Sequence, residues 1–189
     1  MSNDDFFVED LFENNSKKKK INSGIKGKDQ ERQLAKIFNE RFKEILAKNP
    51  KFGMFSRSVG SGNRYSQAVL SEVAKQVYSG DLTCPEVFLF VVESKKGYNE
   101  IDLNTAFTGE CGDLDEFLKQ VSEDASRVGK RPLLIWKKDR KPAIAFFRML
   151  SSEIMPNLTY CFAKLKYKDW TAVSLDDLLS MPDNFWFET

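Results

Sequence analysis

The chain contains no histidine among its 189 residues. Without an imidazole, the Ser-His-Asp and Cys-His nucleophile systems are excluded, and so are zinc hydrolases and metal-finger nucleases that use histidine. Any catalysis must therefore rest on carboxylates, lysine, hydroxyl groups, backbone groups or a metal ion bound through oxygen.

Cysteines are few, and long apolar runs are missing. Cys84, Cys111 and Cys161 are widely spaced and form no CxxC pair, which favours a reducing compartment over a zinc knuckle or a disulfide framework. Nothing approaches the roughly 18 consecutive apolar residues that span a bilayer, and the acidic start MSNDDFFVEDLF does not resemble a signal peptide. We expect no membrane partner and an intracellular, cytoplasmic location in a prokaryotic or virus-infected cell.

Charge is nearly balanced overall, at +1, but it is strongly segregated along the chain. Residues 1–15 and residues 169–189 each carry −5, whereas residues 16–51 carry +8 and residues 130–148 carry +6. Alternating blocks of this size indicate a basic face for a polyanion, with ordinary solvated surface as the alternative interpretation.

Composition divides the chain into a polar tail and one folded domain. We expect residues 1–22 to form a flexible tail, acidic and then basic, whose segment FFVEDLF could dock on a partner protein. Residues 23–189 then form a single domain, with a length that one hydrophobic core supports.

Apolar spacing and turn residues predict alternating helices and strands. Helices are expected over residues 28–48, 66–78, 114–130 and 174–181, the last with Ser174 as its N-cap. Strands are expected around residues 52–57, on both sides of a turn at Cys84-Pro85, over the hairpin 131–150, and over 157–167. Together they indicate an α/β domain with a central mixed sheet of about five strands flanked by helices.

The first predicted helix places a carboxylate among apolar residues. Leu34, Phe38, Phe42 and Ile45 form one apolar stripe, and Glu31 lies on the same stripe one turn earlier. A carboxylate on the core-facing side is costly unless something pairs with it, so Glu31 is a candidate functional residue. The alternative is a first-turn glutamate that the helix dipole stabilises.

The stretch FLFVVESKK, residues 88–96, ends a buried strand with charged side chains. Glu93 and Lys95 share one face because residues i and i+2 of a strand point the same way. A short turn could bring Asp81 beside Glu93, and Mg²⁺ bound by both carboxylates and the Ser94 carbonyl would relieve their repulsion. Lys95 would then hold or help to deprotonate a metal-bound water, or neutralise a phosphoryl oxygen.

Each of these features alone is typical of a plain turn or a solvated ion pair, but together they resemble the PD-(D/E)XK nuclease superfamily. Glu31, Asp81 and Glu93-Ser94-Lys95 are similar to its helix glutamate, its aspartate and its ExK strand. Within it, the closest likeness is to archaeal-type and phage Holliday-junction resolvases, whose N-terminal signature is similar to residues 26–34, KGKDQERQL. The resemblance covers about residues 24–148, which we expect to be the nuclease core, with residues 149–189 as a C-terminal extension.

Further resolvase features follow in the family's order: Arg57, the Gly60-Ser61-Gly62 loop, Gln120 on a helix, and Gly129-Lys130-Arg131-Pro132 before an apolar strand. There are also departures. Gly80 stands where the family usually has a proline before Asp81, and roughly residues 66–78 are inserted ahead of it. Residues 150–189 match no part of the resolvases.

The resemblance implies a restriction-endonuclease-like core and a role for each matching residue. Asp81 and Glu93 would bind Mg²⁺, with Mn²⁺ as a substitute, and Lys95 would assist the nucleophilic water. Glu31 would complete the metal shell directly or through water. Gln120 would orient Lys95 or a phosphate.

The resemblance also implies that DNA is the partner. Ser61 would contact the scissile strand, and a homodimer would make two opposed cuts that leave 5′-phosphate and 3′-hydroxyl ends. No base-reading motif is visible, so recognition of DNA shape is favoured over recognition of sequence. The residues expected to contact DNA are Lys26, Lys28, Arg32, Arg57, Ser61, Lys96, Lys137 and Lys138.

The leading hypothesis is a Mg²⁺-dependent, structure-selective endonuclease that acts on branched DNA in recombination or repair, as a Holliday-junction resolvase does. The alternatives are another PD-(D/E)XK nuclease for repair, restriction or end-processing, a non-catalytic DNA-binding module, and an adaptor that binds through FFVEDLF. The intact Asp81, Glu93 and Lys95 argue against a non-catalytic module. Deleting residues 1–15 would separate an adaptor role from cleavage.

Overall fold

The computed structural model describes residues 23–58, 79–148 and 163–188. Several predicted features lie outside the described residues: the tail over residues 1–22, the helix over residues 66–78, the Gly60-Ser61-Gly62 loop, Cys161, and the first part of the strand over residues 157–167. The division into tail, core and extension therefore stays a prediction.

Along the described chain, α-helices stand before, between and after two groups of strands. The helices are α1 (Ser23–Arg41), α2 (Lys43–Lys48), α3 (Gly112–Arg127), α4 (Leu175–Leu179) and α5 (Asp183–Trp186). The strands are β1 (Ser56–Arg57), β2 (Leu82–Thr83), β3 (Phe90–Lys96), β4 (Arg131–Lys137), β5 (Ala143–Arg148), β6 (Lys164–Tyr167) and β7 (Trp170–Ser174). None of the described helices combines the length and the apolar character that a membrane crossing requires.

Five strands form one mixed sheet in the spatial order β3-β4-β5-β7-β6. β3 and β4 are parallel, and α3 lies in the crossover that a parallel pair requires. The other neighbouring strands are antiparallel. β1 and β2 form a separate two-stranded pair. The predicted α/β class, with a mixed five-stranded sheet flanked by helices, is confirmed.

Three details differ from the predicted elements. α1 begins at Ser23 instead of near Lys28, and a turn at Phe42 separates it from α2. The strand before Cys84 has only two residues and pairs with β1 instead of β3. β7, which the sequence pattern does not predict, lies between β5 and β6 with residues Trp170–Val173 all buried.

Apolar residues cover both faces of the sheet. On one face, α1 and the C-terminal helices bury an aromatic cluster in which Phe38, Phe42, Phe88 and Trp186 contact one another. On the other face, the apolar stripe of α3, centred on Val121, packs against β4 and β5. β3 lies between these two layers. Its last three residues are only partly buried, so its C-terminal end lies at the margin of the core.

Arg41 joins α1 to the C-terminal helices. Its guanidinium donates hydrogen bonds to the carbonyls of Leu179 and Met181 at 2.6 and 2.8 Å and to the Asp183 carboxylate at 3.0 Å. The same group lies 4.9 Å from the centroid of the Phe42 ring. Three hydrogen bonds therefore join segments that are far apart in sequence, and the cation–π contact with the neighbouring Phe42 supports the guanidinium.

Residues near the C-terminus also contact the segment just before β3. Phe187 forms an isolated antiparallel bridge with Phe88. The N–H of Leu89 donates to the carbonyl of Trp186 at 2.8 Å. The strand that ends in the charged residues is therefore supported at its beginning by residues almost a hundred positions later.

Candidate active site

The edge of β3 opposite β4 carries the segment Gly80-Asp81. Gly80 forms an isolated parallel bridge with Val92, and the N–H of Asp81 donates to the Val92 carbonyl at 2.9 Å. Gly80 has φ +83°, and a Cβ here would lie 2.5 Å from the Val92 carbonyl oxygen, so only glycine fits. The glycine that stands in place of the usual proline thus allows Asp81 to approach the strand.

Main-chain hydrogen bonds fix Asp81 beside Ser94. The N–H of Ser94 donates to Oδ2 of Asp81 at 2.9 Å, and the N–H of Ser58 donates to the Asp81 carbonyl at 2.9 Å. The structure therefore brings Asp81 to the middle residue of Glu93-Ser94-Lys95, although 12 residues separate Asp81 from Glu93 in the sequence.

Glu93, Lys95 and Gln120 form one hydrogen-bonded group between β3 and α3. Nζ of Lys95 donates to Oε1 of Glu93 at 2.6 Å and to Oε1 of Gln120 at 3.3 Å. Nε2 of Gln120 donates to the same Glu93 oxygen at 2.7 Å. The Glu93 side chain is 3% exposed, and Nζ of Lys95 lies 5.1 Å from the centroid of the Phe117 ring. The lysine head group is therefore held in one direction by three side chains.

Burial shifts the protonation of this group. Desolvation, followed by the charge of Glu93, raises the pKa of Asp81 to about 7. Desolvation also raises the pKa of Glu93, although Lys95 opposes the shift. Burial acts to lower the pKa of Lys95, but the charge and hydrogen bond of Glu93 outweigh it, so this pKa is raised. Added positive charge beside the two carboxylates would favour their ionised forms.

Glu31 contacts a different partner. Its Oε2 accepts a hydrogen bond from Nε of Arg57 at 2.5 Å, which joins α1 to β1. The side chains are 10% and 24% exposed, so the pair is largely shielded from water. Glu31 nevertheless contributes to the negative potential at Asp81 and Glu93. The buried carboxylate on the apolar stripe is therefore accompanied by an arginine, which the sequence analysis assigns to DNA.

Gln30 is a site residue that the sequence analysis does not identify. Its side chain is buried, and its Nε2 donates to the Lys95 carbonyl at 3.2 Å. Among the described residues its Oε1 has no hydrogen-bond partner. Gln30 lies one helical turn before Leu34, so a polar residue on the core-facing stripe is the signal that could have revealed it.

The donor set at the end of β3 fits a hard cation. Mg²⁺ prefers oxygen ligands and is usually held by one or two carboxylates together with waters, which Asp81 and Glu93 can supply. In the part of the chain that the structure describes, no group of three or more His, Cys, Asp or Glu side chains could hold a metal ion. The fit therefore rests on two carboxylates, and Glu31 as a third ligand stays a prediction.

The predicted DNA-contacting residues fall into separate places. Lys96, Lys137 and Lys138 line one concave surface next to the end of β3. Lys28 and Arg32 are exposed on α1, and Arg32 pairs with Asp29 at 3.0 Å. Two further predictions lie outside the described positions: the side chain of Lys26 and all of Ser61.

One family model matches most of the chain. The model is described as "Phage putative PDDEXK endonuclease" and matches residues 22–185. The match therefore includes α1, the edge that carries Asp81, the charged end of β3, and the segment after residue 149 that the resolvase resemblance leaves unmatched. No curated protein and no solved structure matches the chain.

Proposed function

Because the chain belongs to this phage PDDEXK endonuclease family, and so to the PD-(D/E)XK nuclease superfamily, we propose that it is a Mg²⁺-dependent endonuclease for branched DNA. Its five-stranded mixed sheet between helices is the restriction-endonuclease-like core of that superfamily. The preferred substrate in this proposal is a four-way junction, which a homodimer would cut in two opposed strands, leaving 5′-phosphate and 3′-hydroxyl ends.

The observation that carries the proposal is the contact of Glu93, Lys95 and Gln120 beside Asp81. Asp81 and Glu93 are close enough for the charge of Glu93 to raise the pKa of Asp81, and their oxygens suit a divalent cation. A cation bound there would supply Lewis-acid stabilisation of phosphoryl charge and lower the pKa of water.

Lys95 supplies the positive charge that this chain itself contributes. Its Nζ already donates to Glu93 and Gln120, so it is an ammonium group with a fixed direction. In the proposal it donates a hydrogen bond to a non-bridging oxygen of the scissile phosphate and orients the attacking water. Gln120 acts on Lys95 and Glu93 by holding both, and is therefore a positioning residue.

The remaining predicted site residues act at the margins of this centre. The charge of Glu31 adds to the negative potential at Asp81 and Glu93. Arg57, on β1, forms an ion pair with Glu31 and so offsets part of that charge. Shape recognition of the substrate is in keeping with a binding surface that consists of lysine and arginine and no base-reading motif.

One cleavage assay tests the proposal. Wild-type protein and Asp81→Asn are incubated with a synthetic four-way junction and a matched linear duplex, each with Mg²⁺ and with EDTA. We expect paired, metal-dependent nicks in the junction alone and none from Asp81→Asn. Equal cutting of both substrates would support nuclease activity but contradict junction selectivity. It would favour a repair, restriction or end-processing enzyme. Junction binding without cleavage in Mg²⁺ or Mn²⁺ would favour a non-catalytic module.

A further inference from the structure

A basic groove opens beside the end of β3. It is a concavity with a volume of about 1100 Å³, and we define it by the five cationic residues that line it, Lys96, Lys137, Lys138, Arg140 and Lys141. Lys96 directly follows the active-site lysine, and the other four come from the end of β4 and the turn to β5. The groove therefore begins where the candidate active site ends.

The charge of the basic groove is predominantly positive, with the Asp139 carboxylate in its lining and Asp102 close enough to be affected by the charge of Lys138. Among the described residues, none of its five cationic side chains forms an ion pair, and its one acidic residue, Asp139, is engaged with Asn99. Five like charges around one concave surface produce a strong positive potential that attracts a polyanion. Ordinary solvated surface, in contrast, has both signs of charge interspersed.

The groove is also held in shape by three hydrogen bonds. Asn99 and Asp139 exchange two hydrogen bonds: Nδ2 of Asn99 donates to Oδ2 of Asp139 at 3.2 Å, and the Asp139 N–H donates to Oδ1 of Asn99 at 3.0 Å. The N–H of Gly97 donates to the Lys137 carbonyl at 3.0 Å. These contacts join the segment after β3 to the β4–β5 turn, so the two walls of the groove are linked.

The opposite wall comes from α1. Gln33 lines the groove, and it lies one turn along the helix from Gln30, whose amide donates to the Lys95 carbonyl. Successive residues of a strand point to opposite faces, so Lys95 and Lys96 present their charges on either side of β3. A strand of DNA that leaves the active site past the end of β3 would pass from Lys95 to Lys96 and into the groove.

An aromatic side chain stands next to this path. Tyr98 precedes Asn99, is 46% exposed and has φ +48°, a conformation that few non-glycine residues adopt. Its ring packs edge-to-face on Phe117, with centroids 4.7 Å apart, and this contact keeps the ring in place. Nζ of Lys95 lies over the same Phe117 ring, so Tyr98 stands at the active-site end of the path that leads to the groove. An exposed, fixed aromatic ring on a positively charged path is the combination that binds unpaired nucleotides, whose bases are free to stack.

We propose that the basic groove, together with Tyr98, binds a single unpaired strand of the nucleic-acid substrate next to the scissile phosphate. This inference rests on the proposed function only in taking the substrate to be nucleic acid. A volume of 1100 Å³ is close to that of a cleft for one drug-sized ligand, about 300 to 1000 Å³. Such a cleft has room for a few nucleotides of one strand, and the exposed ring of Tyr98 can stack only on a base that is not paired within a double helix. The site therefore selects DNA that is unpaired beside the cut, as at a branch, a flap or an overhang.

Binding without cleavage tests the inference. Asp81→Asn protein in EDTA is titrated against a labelled oligothymidylate of about 12 nucleotides and against a duplex of the same length, by fluorescence anisotropy at several salt concentrations. The groove variant adds Lys137→Gln, Lys138→Gln and Arg140→Asn, because asparagine tolerates the positive φ of Arg140. The matched control adds Lys164→Gln and Lys166→Gln, exposed residues of β6 at the opposite edge of the sheet.

We expect the oligothymidylate to bind about tenfold more tightly than the duplex. The groove variant should lose about tenfold in affinity for it, and the slope of log K against log salt should fall by about 2, from about 0.7 for each of three lost charges. Tyr98→Asn, which suits φ +48°, should weaken binding with an unchanged salt slope, because it removes stacking and no charge. The control should bind as the parent does.

Two results would overturn the inference: tighter binding of the duplex, or oligothymidylate binding that the groove variant leaves unchanged. Thermal unfolding of each variant verifies that it is folded, and Lys141→Gln alone, in the exposed turn, replaces the triple variant if that fails to fold. Failure here is distinct from failure of the proposed function, because this assay needs no cleavage. If wild-type protein cuts DNA while the groove variant still binds oligothymidylate normally, only this inference is wrong, and the proposed function stands.

Discussion

Arg57 on β1 donates a hydrogen bond from Nε to Oε2 of Glu31 on α1 at 2.5 Å. The pair lies where α1 passes the edge that carries Asp81, and each side chain is mostly buried. Two residues that the sequence assigns to separate roles, a metal ligand and a DNA contact, are therefore partners in one ion pair.

Removing Arg57 should destabilise the protein. Arg57→Ala removes the arginine partner of a buried carboxylate, and we expect a loss of about 2 kcal/mol in the free energy of unfolding, less than for a fully buried pair because Arg57 is partly exposed. Glu31→Gln in the same chain should restore most of the loss. Urea denaturation measures both, and Lys43→Ala, which breaks the exposed pair with Glu40, should leave the stability almost unchanged.

Asp81→Asn should stabilise the metal-free protein above neutral pH. The pKa of Asp81 is raised from 3.8 to about 7, so ionisation costs stability as pH rises through that window, and asparagine removes the cost. In EDTA we expect no difference near pH 4 and on the order of 2 kcal/mol above pH 8, because partial exposure reduces the full effect of about 1.4 kcal/mol per pKa unit. Denaturation curves across pH provide the measurement; a difference independent of pH would contradict this cause.

Lys95 and Gln120 should differ in their effect on cleavage. Lys95→Met removes the charge that we propose acts on the scissile phosphate, and should lower kcat by about 10² to 10³-fold. Gln120→Leu leaves the Lys95–Glu93 pair but loosens it, with an expected loss of about 10 to 100-fold. Single-turnover cleavage measures both. Lys119→Met, the exposed neighbour on α3, is the control, and a loss for it equal to that of Gln120→Leu would assign the effect to the helix instead.

Gly80→Ala should harm the protein while Gly27→Ala should not. A Cβ at Gly80 meets the Val92 carbonyl and requires φ +83°, so we expect a loss of about 2 kcal/mol or more and displacement of Asp81. Gly27 lies in α1 with open space around it, and alanine there should stabilise by about 0.5 to 1 kcal/mol. Thermal unfolding compares the two. Equal effects would mean that Gly80 is free to adopt another conformation.

Arg41→Met should detach the C-terminal helices. The change removes three hydrogen bonds from a partly buried guanidinium, and two of the partners are main-chain carbonyls. We expect a loss of about 2 to 3 kcal/mol and earlier proteolysis between α4 and α5. Arg127→Met, which removes only exposed pairs at the end of α3, should cost well under 1 kcal/mol. Limited proteolysis with denaturation distinguishes detachment from general loss of stability.

The sequence predicts best the elements that carry their own signal. α3 has a continuous apolar stripe and is found close to its predicted position. Ser174 caps α4 as predicted, since its hydroxyl oxygen accepts a hydrogen bond from the Asp177 N–H at 3.0 Å. β7 has no such signal: it is buried on both faces, so the alternation that marks a strand is missing, and only its neighbours reveal it.

Within the site, spacing predicts which side chains share a face but not which partner each one takes. Glu93 and Lys95 are found together, as the i, i+2 rule requires. The contact between Glu31 and Arg57 depends on how α1 lies against β1, and no local pattern encodes that distance. The same holds for Gln30: its position on the core-facing stripe indicates that it is buried, but the sequence does not indicate that its partner is a main-chain carbonyl of β3.

The docking of Trp186 and Phe187 against Phe42 and Phe88 has a consequence for how the chain folds during synthesis. Arg41 and Asp183 are 142 positions apart, so the layer that supports β3 closes only after residues 183–187 have left the ribosome. Contacts at such separation form late and slowly. A ribosome that stalls before that point would release a fragment in which Asp81 and Glu93 lack their scaffold. A phosphodiesterase activity carried by those residues would thus arise only after residues 183–187 have become free to dock.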